Sequence, residues 1–333
     1  MIDMHVHLEE GPYSLRWLQR TGEALCFFME QQQEQKHTEA WLQQTFALLQ
    51  QRMMKGAYSR EWLDLYRKRA KQLGIVQVGI VDHLYRFQEY KDYYLTHMHV
   101  ADDPLGRLQE QWLEQVCTAS LEEFVTFLQG EQAHWAADGV ELKIGIELDY
   151  FPGGEAELAG VIRHYPWDHT IGSVHFLDGW GFDNPETQDR YQRADLLALY
   201  ERYFAVMEQG IKSRLFDIAA HPDNLKVFGY RPAEALLLPM YERIARSLVE
   251  NGVATEINTG LLYRYPVKEM CPSMTFLKVL ARFQVPVTTS SDAHFPDHLG
   301  QHVADAIAVL EQAGYERVLS FSQRRRIDME LKR

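Results

Sequence analysis

The chain has 333 residues, 46% hydrophobic and 24% charged; that is enough to bury one large core, and no apolar run is long enough to span a bilayer. Its formal net charge of -13 argues against nonspecific binding to a nucleic-acid backbone, which needs a basic surface that releases counterions. Cys26, Cys117 and Cys271 are widely spaced with no CxxC pair and there is no signal-peptide pattern, so ordinary thiols in a cytoplasmic protein are expected.

The first apolar run, Met1 to Met4, has strand character and leads into His5-Val6-His7. Side chains alternate across a strand, so both imidazoles are expected on one face. Such an i, i+2 pair suits a cation that prefers nitrogen and carboxylate oxygen, such as zinc, iron or manganese. Taken alone, it reads equally well as a chance surface pair.

From 14 to 73, Trp17, Leu18, Leu25, Phe28, Trp41, Leu42, Phe46, Leu49, Trp62, Leu63 and Tyr66 recur near helical spacing. This predicts a helical insertion after the first strand: a lid, an oligomer contact or a helical layer on the core. The Gln31 to Gln35 stretch within it reads as an exposed helical face or a turn.

The strand pattern then resumes at 74–81, ending at Asp82-His83. One or two amphipathic helices over 105–137 precede a strand at 140–146 that ends at Glu147. A run at 170–174 ends at His175. A helix over 189–209 leads to 215–220, which ends at His221-Pro222. A helix over 233–251, with Gly252 as C-cap, precedes a strand at 253–258. A helix over 273–283 and a strand at 285–290 lead to Ser291-Asp292-Ala293-His294, a second i, i+2 pair of ligand types.

Short β-rich runs separated by long helical stretches are the pattern of parallel strands in an α/β barrel. Active sites of such barrels sit at the C-terminal strand ends, where these ligand types fall. Barrels of this length usually form one domain, so 1–333 is read as a single domain containing the 14–73 insertion. No Gly-rich phosphate loop of the GxGxxG or GxxxxGK type is present. His97-Met98-His99 repeats the spacing but follows a Tyr-rich polar stretch, so it reads as loop or surface. His37, His134, His164, His169, His298 and His302 fit no strand-end pattern.

The ordered series His5-x-His7, His83, Glu147, His175, His221-Pro222 and Asp292-x-His294 resembles the polymerase and histidinol phosphatase (PHP) family of metal-dependent phosphoesterases. The resemblance covers essentially the whole chain and implies a distorted (β/α)7 TIM-like barrel with up to three metals. It implies His5, His7, Glu147 and Asp292 for the first metal. Glu147, His175 and His221 would hold the second, with Glu147 bridging. His83 and His294 would hold the third with a residue from the loop after His7. Many members place a histidine there; this sequence has none between His7 and His37, so Glu9 is the expected substitute, with Glu10 second.

Four further stretches resemble the branch acting on histidinol phosphate: 7–13, 82–87, 173–178 and 256–260. The implied activity is hydrolysis of that ester, a small molecule, with two or three divalent ions of zinc, iron or manganese. A metal-bridging hydroxide is expected to attack phosphorus in line, since no motif suggests a protein nucleophile. Arg264 and Arg86 are the expected substrate contacts, and Glu256 and Asp178 are candidates for the amino or imidazole group. Another phosphate ester (a nucleotide, a sugar phosphate or phosphotyrosine) and a noncatalytic metal-binding module stay open as alternatives.

Overall fold

The computed structural model describes residues 1–29 and 36–331, so the Gln31 to Gln35 stretch lies outside the described residues. Eleven strands occur in chain order among them: β1 (Ile2–Val6), β2 (Gln77–Ile80), β3 (Glu141–Asp149), β4 (His169–Ser173), β5 (Phe176–Leu177), β6 (Trp180–Gly181), β7 (Ile218–Ala219), β8 (Ala254–Asn258), β9 (Val287–Ser290), β10 (Arg317–Ser322) and β11 (Arg325–Glu330). Seven make one sheet in the order β1-β2-β3-β4-β7-β8-β9, and every pairing is parallel.

The two ends of that sheet meet beyond the strands. The His7 amide donates to the Ala293 carbonyl at 2.7 Å and the Asp292 amide to the His5 carbonyl at 3.0 Å. The result is a nearly closed barrel of seven strands with helices around it, as the strand-helix alternation predicts.

Three helices lie between the first two strands: α1 (Leu15–Phe27), α2 (Glu39–Lys55) and α3 (Arg60–Leu73). The Ser14 and Thr38 hydroxyls accept from the amides of Trp17 and Trp41 and start α1 and α2; Gly74, at φ 68°, ends α3 in the left-handed conformation a glycine adopts without penalty. On α3 Trp62, Leu63, Tyr66 and Ala70 form a buried stripe at helical spacing. Burying a side chain such as Leu63 stabilises the packing by about 1.5–3 kcal/mol.

Two departures from the expected elements have local causes. The helix expected over 189–209 is two, Asp189–Arg193 and Leu196–Ser213, because Asp195 caps a new start by accepting from the Ala198 amide. The β10–β11 hairpin had no sequence-based counterpart: its Arg-rich outer strand alternates only Ile327 and Met329 with charged residues, a pattern too short to read. It packs under the barrel, where Arg324 bonds the Asp217 carboxylate at 2.9 Å and the Gln323 amide donates to Asp168, both at N-terminal strand ends. The mouth opposite the ligand-bearing ends is thereby closed.

His169, in no strand-end pattern, is wholly buried at the start of β4, its Nε2 donating to the Met4 carbonyl at 2.9 Å. A Cβ at Gly79 or Gly145 would come within 2.7 Å of its Cε1, so both glycines make room for the ring. Burial lowers its pKa from 6.5 to about 4, against the pull of the Met4 carbonyl. The unfolded chain therefore binds a proton between pH 6.5 and about 4 that the native state refuses, and stability falls as pH drops through that window. The full effect is roughly 3 kcal/mol. Urea unfolding of metal-free protein across this range should give a shallower pH slope for His169→Gln than for the unaltered chain; equal slopes would remove His169 as the cause.

Candidate metal centre

The strand ends deliver eight side chains to one place. His5 lies on β1 and His7 follows it; His83 follows β2, Glu147 lies on β3, His175 follows β4, His221 follows β7, and Asp292 and His294 follow β9. All are buried. Glu147 is at the middle: its Oε2 is 3.1 Å from His5 Nε2, 3.4 Å from His7 Nε2 and 2.9 Å from His83 Nδ1, and its Oε1 is 3.2 Å from His221 Nε2 and 3.6 Å from His175 Nε2.

Three groups of ligand atoms lie close enough to share an ion: His5 with His7 and Asp292; His83 with Glu147 and His175; His7 with His83 and His294. The His7 ring stacks against each of the other two of the last group at a centroid distance of 4.2 Å, and those two are 5.8 Å apart. Asp292 sits at φ 53°, a left-handed conformation that Asp tolerates, and Gly260 lets it close in: a Cβ there would be 2.8 Å from Asp292 Oδ2.

Residues behind the cluster set its tautomers. His5 Nδ1 bonds Glu256, fully buried, at 3.1 Å, and His175 Nδ1 bonds Asp149 at 2.8 Å. In a neutral ring the proton then lies on Nδ1 and the Nε2 lone pair faces inward. Those inward atoms crowd one another: His5 Nε2 is 3.0 Å from His7 Nε2, and His175 Nε2 is 3.3 Å from His221 Nε2. His83 Nδ1 is close to Glu147 yet in no hydrogen-bond geometry. Acceptors packed so closely need positive charge among them, as protons or as a metal ion, and imidazole with carboxylate is the donor set of zinc, iron and manganese.

The electrostatics agree. Burial works against ionising Glu147, but His83, His5 and the hydrogen bond from His221 outweigh it and hold the carboxyl well below its usual range. Burial likewise opposes Asp292, yet Arg264, His5 and His7 bring it down to about 2. Burial and neighbouring histidines keep His7 neutral, its pKa well below 6.5; burial and Arg264 do the same for His294. Asp149 overcomes burial to raise His175 to about 10. Without a metal, protons take the cation's place there, so binding a metal releases them.

The cluster floors a cavity of about 980 Å³ whose walls include Tyr85, Trp112, Phe176, Asp183 and Tyr265. Arg264 lines it, with one guanidinium nitrogen 3.1 Å from Asp292 Oδ1 and another against His294.

Four expected contacts fall elsewhere. Glu9 has both oxygens committed away from the cluster, to Arg52 Nη2 at 2.6 Å and Trp17 Nε1 at 2.8 Å. Glu10, the second choice, lines the cavity with Oε2 3.7 Å from His294 Nε2. Arg86 is buried outside the cavity lining, donating to the Val116 carbonyl at 2.7 Å and to the Tyr13 hydroxyl, so it supports the loop after His7. Asp178 faces Arg202, 3.2 Å away and largely exposed, and Glu256 is taken up by His5. Asp149 and Asp183 had not been singled out; only the i+2 repeat of Glu147-Leu148-Asp149 gave any signal for the first.

Fold and site together define a metal-binding phosphoesterase barrel, and comparison agrees: the PHP domain model matches residues 57–260. The chain belongs to the PHP family. It is 35% identical over 206 residues to a Deinococcus radiodurans protein named "Probable histidinol-phosphatase", covering 62% of this chain and 76% of that one. Among solved structures it resembles the histidinol phosphate phosphatase of Lactococcus lactis, complexed with zinc, L-histidinol and phosphate, at TM-score 0.59 and 19% identity, covering 79% of this chain and 92% of that one; at that identity the likeness is one of fold.

Asp149 and Glu256 should matter for metal affinity without touching the metal. Asp149→Asn or Glu256→Gln is expected to weaken zinc or manganese binding about 10–100-fold in calorimetric titration. Unchanged affinity in both variants would refute their orienting role.

Proposed function

We propose that this chain is a metal-dependent phosphomonoesterase that hydrolyses L-histidinol phosphate to L-histidinol and phosphate, a step of histidine biosynthesis. The observation that carries the reading is the convergence of six buried histidines and two ionised carboxylates beneath an open cavity with an arginine at its wall. The name of the Deinococcus relative and the ligands of the Lactococcus structure support the substrate.

We assign three positions: His5, His7, Glu147 and Asp292 to the first; Glu147, His175 and His221 to the second; His83, His294 and Glu10, in place of Glu9, to the third. Held there, two or three divalent ions of zinc, iron or manganese would neutralise the phosphoryl oxygens and bring the pKa of a water near neutrality. The chain's own groups do the rest. Glu256 and Asp149 keep the lone pairs of His5 and His175 aimed inward. Arg264 offers N–H groups to the phosphate beside Asp292. Asp183 lines the cavity, its carboxylate bonded to its own backbone amide rather than to another side chain, which suits the cationic end of the substrate. The aromatic wall of Tyr85, Trp112 and Phe176 suits its imidazole. The reaction adds water across the P–O ester bond, so the departing alkoxide leaves as the alcohol. No described helix is long and apolar enough to cross a membrane, and all three cysteines are free, which supports a cytoplasmic setting.

Phosphate release from L-histidinol phosphate, measured beside nucleotides, sugar phosphates, phosphotyrosine and a cyclic diester with added manganese, zinc or iron, tests this. The histidinol ester is expected to be preferred, with His5→Ala and Asp292→Ala at background. Arg264→Lys should raise KM by roughly ten- to hundredfold, the equivalent of one charged hydrogen bond. Asp183→Asn should raise KM for the histidinol ester and leave an aryl phosphate that carries no cationic group unaffected. Preferential turnover of another ester would replace the substrate, and metal binding without turnover of any ester would sink the catalytic reading.

A further inference from the structure

The helical insertion grips the loop that follows His7, and its first helix also lines the cavity through Trp17 and Arg20. Tyr66 of α3 donates to the His7 carbonyl at 2.9 Å, and Trp62 to the Leu8 carbonyl at 3.1 Å. The Leu8 and Glu9 amides donate to Asp82 Oδ1 at 2.6 and 3.4 Å, and Tyr58, just before α3, donates to its other oxygen at 3.0 Å. Glu9 then sends its carboxylate back into the insertion, onto Arg52 of α2 and Trp17 of α1. The Arg52 guanidinium lies over the Trp62 ring, 4.5 Å from its centroid.

That ion pair is almost out of solvent, with side chains 4% and 3% exposed. Two charges so buried give little or no stability beyond what apolar side chains of the same volume give. What they supply is direction. A carboxylate held by two donors on two different helices has one placement, and it fixes the backbone one residue before Glu10.

We propose that Arg52, acting with Trp17 through Glu9, is a positioning latch by which the helical insertion aims Glu10 at the third metal position and so sets the affinity of that position. The proposal rests on the assignment of Glu10 made above. Arg52 touches neither substrate nor metal in this scheme; it acts through Glu9. The insertion is on this account part of the site's machinery and more than a layer on the barrel.

The test counts manganese per chain by plasma mass spectrometry after equilibration of the 333-residue chain, alongside a manganese titration. Unaltered protein should hold three equivalents. Arg52→Met and Glu9→Gln should keep two and bind the third about tenfold or more weakly, matching Glu10→Gln, with Arg52→Lys recovering part of the loss. The double variant Glu9→Met/Arg52→Met separates positioning from packing. It refills the volume without charge, so it should melt like the unaltered metal-free protein and still lose the third equivalent. Retention of that equivalent in the double variant at unaltered affinity would overturn the latch. So would only two equivalents in unaltered protein, or a third that survives Glu10→Gln. The phosphatase reading is scored separately, by phosphate release from unaltered protein: if none occurs while the variants still lose the third ion, the latch stands and the substrate assignment falls.

Discussion

A single buried carboxylate organises this molecule. Glu147 is 1% exposed and lies within 3.6 Å of nitrogens from five histidines that arrive on four different strand ends besides its own. An ionised carboxylate taken out of water costs several kcal/mol unless positive charge or hydrogen bonds compensate. Compensation for its burial comes when β1, β2, β4 and β7 all present their ends to β3; in the unfolded chain water solvates the same charge. The same arrangement packs more lone pairs than protons into one volume, which is the condition for capturing divalent cations.

Around that centre the polar groups form layers with separate tasks. Glu256 and Asp149 fix which nitrogen of His5 and His175 faces inward, Asp82 holds the amides after His7, and Asn258 bridges Glu256 and Asp292. The site is open on one side and sealed on the other. Tyr85, Trp112 and Phe176 make a cavity over the ligands, while Arg324 and the terminal hairpin close the opposite mouth through Asp168 and Asp217. Buried charge at one end of the barrel thus meets solvent and substrate, and at the other end is used for closure.

Much of the buried cluster of candidate ligands was legible because it obeys two local rules. Ligands in a parallel barrel follow apolar runs, and pairs on a strand recur at i, i+2, so His5, His7, His83, Glu147, His175, His221, Asp292 and His294 were readable before any fold was known, and the structure brings all eight together. Their division among metal positions is our proposal. The loop after His7 has no such rule. Glu9 and Glu10 are adjacent and chemically alike, and the choice falls to Arg52 and Trp17, residues 43 and 8 positions away, which take up Glu9 and leave Glu10 on the cavity. Arg86 lies only three residues beyond His83 in sequence, but its side chain runs back under the loop to Val116.

The sequence by itself determined the strand-helix alternation, the helical character of the insertion and the residue types of the cluster, since periodicity and spacing are properties of neighbours along the chain. Only the tertiary structure decided which carboxylate faces the cavity, which acids orient the histidines and which arginine meets the site. Those outcomes depend on contacts between residues far apart in the chain, as between His5 and Glu256, 251 positions apart, and on competition among donors for the same oxygen. A chain pattern carries no record of that competition; burial and closure of the barrel settle it.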